Sequence, residues 1–435
     1  MRITTIFIVV AVLFSGCLEF DQPYKVLAPG IWRVQMPLIP YIAPQERRDA
    51  ALSTAQELTE GKLPFLLEVF NPTEDSIYIE IINGKERIPI TDIQYGRNPE
   101  TARDTLRINF PIYDTYIVAD IDGNKMDGFW HVRSKKNYKI PFSARYGKNY
   151  RFTTLKKQPV MDISGRWPTI FSAGDDEYQA IGVFQQDGNH LAGTFMTETG
   201  DYRFLDGTIQ ADKIYLSTFD GSHAFLFEGK INPQDTTITG SFRSGTHYQT
   251  TWQAKKDDSI ALQDPEKLVH AKDLSTPVNF TMPTPDGRQI SLDDPTLAGK
   301  PTILQLMGTW CPNCRDEGYF LADYFKKHPD LSINVLGLAF EKYDAVNRNM
   351  AVIQKYKEVL KIPYDIVYAG KPKKEHILSI FPQLDNFMAY PTLIFLDKDR
   401  KIIKIHTGFN GPATPEYAHF KKEFEKNIEE LTQKN

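Results

Sequence analysis

The pattern of apolar residues changes once along the chain, near residue 257, and this change narrows the possible folds more than any other feature. Before it, apolar runs are short and each is followed by turn chemistry. "LPFLLEVF" (63–70), "SIYIEII" (76–82) and "TLRINFPIYDTYIVADI" (105–121) are separated by "NPTED" and "NGKE". "AIGVFQQ", "LAGTFMT", "KIYLSTF" and "AFLFEGKI" follow, broken by "QDGNH", "FDGSH" and "NPQDT". Evenly spaced runs of this kind predict antiparallel strands joined by hairpins, in a sandwich or a barrel. After it, "PTILQLM", "INVLGLAF" and "YDIVYAG" read as strands, and "AVNRNMAVIQKYKEVL" and "KEHILSIFPQL" as helices between them. Alternation of this type requires parallel crossovers and therefore an α/β sandwich. "YPTLIFLDKDRKIIKIHTG" predicts a hairpin, and "PEYAHFKKEFEKNIEELTQ" a closing helix with Phe420, Phe424, Ile428 and Leu431 on one stripe.

The resulting expectation is a multidomain chain, two β-rich N-terminal regions followed by an α/β unit. The boundaries read as a leader over 1–17, a β-rich region over 18–158 and a barrel or sandwich over 159–256. A polar linker over 257–272 leads into the α/β unit at 273–435. A weak echo runs through the β regions: "DGNKMDGFW" (122–130) parallels "DGNHLAGTF" (187–195), and "ITGSF" (238–242) repeats its end. Glycine inside a strand permits close approach of a backbone or ring, so the echo reads as shared hairpin mechanics. "SGRWPTIF" (164–171) resembles the Gly-x-Trp start of lipocalin-like barrels, and the aromatic residues here read as core.

Two short positive or apolar segments open the chain: Met1-Arg2, then nine apolar residues from Ile6 to Phe14. A bilayer takes about 20 residues to span, so this run suits a signal-peptide core. "LFSGC" (13–17) resembles a bacterial lipobox, which implies lipidation of Cys17, a membrane anchor and a mature chain facing the periplasm. An ordinary cleaved signal would leave Cys17 without that role. With Cys17 as a thioether, Cys311 and Cys314 are the remaining thiols, in an oxidising compartment. The formal charge of −4 supplies no positive field for nucleic acid.

The stretch "MGTWCPNC" (307–314) places these two cysteines where a strand gives way to a helix. Pro312 suits the first helical position, where its missing N–H has no intrahelical partner. Cys311 then lies at the positive end of the helix dipole, which favours a thiolate. Residues three apart have Cβ atoms about 5–6 Å apart on a helix, and a disulfide needs about 3.5–4.5 Å. A slightly tightened first turn closes that gap, as a reversible couple requires. Zinc would need further ligands at suitable spacing, and none accompany the pair. A peroxidase pattern would place Thr or Ser three residues before the cysteine, where Gly308 stands. A purely structural bridge over so small a loop would restrain little chain entropy.

"PTILQLMGTWCPNCRDE" (301–317) together with "YPT" (390–392) resembles the TlpA/ResA-like branch of thioredoxin-fold disulfide reductases. The resemblance extends over about residues 273–435, including the lead-in "VNFTMPTPDGRQISLDDPTLAGKPTIL". It implies a protein disulfide reductase in which Cys311 attacks and Cys314 resolves. It further implies that Glu317 accepts or modulates a proton and that Trp310 shields the pair. Pro391 matches the family's cis-proline, so that Tyr390 offers backbone groups to a substrate. The electron donor implied is a membrane thiol carrier, with no metal, nucleotide or flavin cofactor. Gly318 departs from the family's pattern and is expected to loosen the helix. Two rival readings are a cell-envelope binding protein built on the β regions and a thiol-dependent peroxidase.

Overall fold

The computed structural model describes residues 27–39, 60–73, 76–100, 102–174 and 176–433. The leader and Cys17 lie outside the described residues. Among the described residues, no helix is long and apolar enough to cross a membrane.

Nine antiparallel strands form the first sheet, from Glu86–Ile90 at one edge, through Gly30–Pro37 and Lys139–Tyr146, to Ile93–Arg97 at the other. Among the described residues its two edge strands do not pair with each other, so it is an open half-barrel. Leu63, Phe65, Leu67 and Val69 alternate inward along Lys62–Thr73, the two-residue period of a sheet with one buried face. Tyr215, Phe219, Ala224 and Leu226 of the next sheet complete this core. Arg151 pins the join: it donates to the Ile82 carbonyl at 2.9 Å and to the Ser217 hydroxyl at 2.8 Å.

The second sheet closes. Asp176–Asp187 pairs with Gly165–Ala173 on one side and with His190–Thr197 on the other. Five more strands, from Leu205–Gln210 to Tyr248–Lys255, complete an eight-stranded barrel. Closure removes the free edges that an open sheet would leave. Its interior is aromatic, with Trp167, Phe171, Phe184, Phe195 and Phe227 fully buried. The sequence echo has a common geometry here. A Cβ at Gly128, Gly193 or Gly240 would come within 2.0–2.2 Å of a carbonyl oxygen on the neighbouring strand.

The third sheet has five strands in the order Asp365–Gly370, Asn334–Phe340, Thr302–Met307, Thr392–Leu396, Ile402–Thr407. The first three are parallel, Thr392–Leu396 runs antiparallel to the central strand, and Ile402–Thr407 runs antiparallel to Thr392–Leu396 in turn. Four helices cover it: α1 (Pro312–Lys327), α2 (Val346–Leu360), α3 (Lys374–Ile380) and α4 (Glu416–Gln433). The predicted stripe of α4 (Phe420, Phe424, Ile428, Leu431) is buried. A small hairpin, Thr281–Pro283 with Gln289–Ser291, precedes the central strand. The expected loosening at Gly318 does not occur, because α1 runs through it. A Cβ there would meet the Tyr356 hydroxyl at 3.1 Å, so the missing side chain allows α2 to pack closely.

Candidate active site

The central strand Thr302–Met307 is buried on both faces, and its two sets of alternate residues enter different cores. Leu304 and Leu306 face one way, and Ile303, Met307 and the polar Gln305 face α1. The strand stops at Met307, and the chain turns through Gly308 and Thr309 into the helix. Cys311 is the N-cap of α1 and Pro312 its first residue. The Cys311 sulfur accepts the Cys314 N–H at 3.2 Å, which satisfies one of the unpaired amides of the first turn. Its thiol donates to the Tyr390 carbonyl at 3.7 Å. The Tyr390–Pro391 peptide bond is cis.

The two sulfurs have unequal surroundings. Cys311 lines a cavity of about 750 Å³. Cys314 is fully buried, and burial first, then its neighbour Cys311, pushes its thiol well above the usual value. Glu317 lies one turn further along α1, also fully buried. One carboxylate oxygen accepts from Gln305 Nε2 at 2.9 Å and the other has no partner among the described residues. Burial holds this carboxyl well above the ordinary glutamate range, against the smaller opposing effect of the Gln305 hydrogen bond. Tyr364 donates to Gln305 Oε1 at 3.0 Å and Tyr356 to the Cys314 carbonyl at 3.2 Å, which fixes both partners.

The turn before the helix is held from the neighbouring strand. Glu341 follows Asn334–Phe340 and accepts the Thr309 N–H at 2.8 Å and its hydroxyl at 3.0 Å. Burial pushes Glu341 up to about 7. Trp310 Nε1 donates to the Phe340 carbonyl at 3.0 Å, and the ring meets Tyr390 edge-on at 5.6 Å. The Lys342 ammonium lies 3.6 Å from the centre of the indole. Thus Trp310, Cys311, Cys314, Glu317, Tyr390 and Pro391 come together in one place. Gln305, Glu341 and Lys342 join them without having been singled out in the sequence. A glutamine inside the apolar run "PTILQLM" and an acid directly after "GLAF" were the available signals.

A second unit reaches the same place. Asn313, between the cysteines, donates to the Asp201 carbonyl of the barrel at 3.4 Å. Asp201 Oδ2 accepts the Gly411 N–H at 2.6 Å, and Gly200 forms a parallel bridge with Phe409. Behind this contact, Arg203 binds Asp316 of α1 and Glu86 of the half-barrel, with Asp220 at 3.4 Å. One guanidinium therefore ties all three units together.

Sheet order, helix placement and a cysteine pair at a helix start define a thioredoxin-fold unit. Residues 275–405 match the model of the AhpC/TSA family. The thiol-disulfide oxidoreductase ResA of Bacillus thuringiensis is 27% identical over 126 residues, 29% of this chain and 64% of the relative. The ResA of Bacillus anthracis is 26% identical over 141 residues, 32% of this chain and 71% of the relative. A thiol:disulfide interchange protein of the thioredoxin family from Chlorobium tepidum is 19% identical in structural alignment. That alignment covers 37% of this chain and 97% of the other, with a TM-score of 0.29. The chain thus spans about 64% of the length of the first curated relative it matches. Its C-terminal part is a TlpA/ResA-like thioredoxin fold, at modest identity.

Proposed function

We propose that the chain is a thiol–disulfide oxidoreductase that reduces disulfides of protein substrates outside the cytoplasm, anchored through a lipid on Cys17. The observation that carries this reading is the asymmetry of the pair. The Cys311 sulfur faces a cavity beside the Tyr390 carbonyl, and Cys314 sits behind it with no exposure. The name shared by the ResA relatives supports the same reaction class.

The Cys311 thiolate attacks one sulfur of the substrate disulfide, forming a mixed disulfide, and the other substrate sulfur leaves as a thiolate that takes a proton from water. Cys314 then loses its proton, with Glu317 as the acceptor once its own carboxyl has ionised, and attacks the Cys311 sulfur. The second substrate sulfur leaves and is protonated in turn. Two electrons pass to the substrate and the Cys311–Cys314 disulfide remains. A membrane dithiol carrier returns the pair to its reduced state. Trp310 shields the sulfurs, and Tyr390 with Pro391 orients the incoming strand.

The test is a Cys314→Ser chain, which lacks the resolving thiol. It is expected to accumulate a covalent Cys311 adduct with envelope proteins, identified by mass spectrometry and released by dithiothreitol. A Cys314→Ser chain that forms no adduct with any protein disulfide would refute the assignment.

A further inference from the structure

The barrel supplies most of the wall of the cavity that holds Cys311. Tyr178, Tyr202, His223 and Phe225 line it from the barrel, facing Trp310 and Tyr390 across the space. Cys311 itself is only 6% exposed, so a disulfide reaching its sulfur must pass against these side chains. The wall is fixed. The Tyr178 and Tyr202 hydroxyls lie 2.7 Å apart, Tyr178 stacks on Phe171 at 4.9 Å, and His223 stacks on Phe225 at 4.4 Å. The loop carrying Gly200 and Asp201 is locked against Asn313, where a Cβ on Gly200 would lie 2.0 Å from the amide nitrogen.

We infer that the barrel mouth is a side-chain pocket of the substrate site, and that it takes an aromatic or large apolar residue next to the reacting cysteine of a peptide segment. This inference rests on the proposed disulfide reductase reading. Three observations point to this occupant. The reactive sulfur in the wall demands a disulfide. The volume of about 750 Å³ suits a short segment, since sites for small ligands run to roughly 300–1,000 Å³. The facing rings favour an apolar or aromatic side chain, and their mutual contacts hold them in place before binding, which lowers the ordering cost. The electron balance is that of the reaction above; the pocket adds selection only.

The experiment uses the intact chain and two synthetic disulfide peptides, identical except for phenylalanine or glycine beside one cysteine. The kcat/KM ratio is expected to favour the phenylalanine peptide about tenfold or more, as filling an apolar pocket typically gives. Tyr178→Ala is expected to bring the ratio to about twofold, and Tyr178→Phe, which keeps the ring, to retain most of it. A second arm titrates the reduced peptides calorimetrically into a Cys311→Ser/Cys314→Ser chain. Equal turnover of the two peptides, or a ratio unmoved by Tyr178→Ala, overturns the inference and leaves the reductase reading standing. No turnover of either peptide, with preferential binding of the phenylalanine peptide to the double variant, sustains the pocket and refutes the reductase reading. Absence of both turnover and preferential binding refutes both.

Discussion

The barrel and the thioredoxin-fold unit share one cavity, and both have apolar cores, but what lies directly behind the cavity differs: rings in the barrel, buried acids and an amide beneath the cysteines. Inside the barrel, ring packs on ring. Phe195 alone stacks on Phe227 at 4.7 Å and meets Phe171 and Trp252 edge-on at 5.2 and 5.5 Å. Beneath the cysteines, Gln305, Glu317 and Glu341 are buried among apolar neighbours, and one Glu317 oxygen has no partner among the described residues. An apolar interior stabilises by burial alone. A buried carboxyl costs stability, and such costs concentrate where chemistry needs a shifted proton affinity. Stability and reactivity are therefore separable here, one concentrated on each side of the cavity.

The sharpest challenge to that division is Arg203, which belongs to both sides. The side chain is 3% exposed, and Asp220, Glu86 and Asp316 surround it from three units. Arg203→Met leaves those carboxylates without their counter-charge, so a loss of about 3–5 kcal/mol is expected in denaturant unfolding. Limited proteolysis should then cut between the barrel and α1 faster than in the parent chain. If only a barrel transition moved, and cleavage at the junction did not change, the units would be independent and the cluster merely local.

Much of the thioredoxin-fold unit could be read from its residues, because each element carries its own local signal. The apolar run of the central strand, Pro312 at the first helical position and the spaced phenylalanines of α4 each act within a few residues. The hairpin across 397–401 was equally local, with Asp397 accepting amides from Asp399 and Lys401. Barrel closure was open in the sequence because it depends on which strand a long strand pairs with, and Asp176–Asp187 pairs on both sides. The cavity was hidden for a stronger reason. Asn313 and Asp201 are 112 residues apart, and their contact arises only from how folded units dock. Arg203 likewise looks like a solvated loop residue until three distant acids converge on it. The barrel aromatics read as core, which holds for Phe171 and Phe195, and Tyr178 and Tyr202 pack against the same core while also lining the cavity.

A second probe addresses the barrel alone. Phe195→Ala removes a fully buried ring that lies outside the cavity wall, and about 3–4 kcal/mol of stability should go with it. Per folded molecule, reduction of a small symmetrical disulfide should stay within about twofold of the parent, since packing rather than chemistry has been changed. Comparable losses in both readouts would show that the barrel core positions the cysteines directly, and the separation drawn above would fail.

Glu317→Gln asks the reverse question and should give the reverse result. Resolution of the mixed disulfide, followed by stopped-flow after trapping, should slow about a hundredfold, the lower range for losing a general base and about 2.7 kcal/mol in barrier. Stability should move the other way. The folded-state carboxyl is held well above the ordinary glutamate value, so the folded chain keeps a proton that the unfolded chain releases. Stability therefore falls as pH rises from the ordinary carboxylate range toward the folded-state value. The neutral amide removes that slope, so the variant should melt higher than the parent at neutral pH and alike near pH 4. Glu341, pushed up to about 7 by its own burial, contributes a slope of the same sign in both chains, so it cancels in the difference. A variant that resolves normally yet melts higher would leave Glu317 as a structural burden without a role in proton transfer. One that resolves slowly and melts lower would mean that its hydrogen bond to Gln305 outweighs the cost of burying the charge.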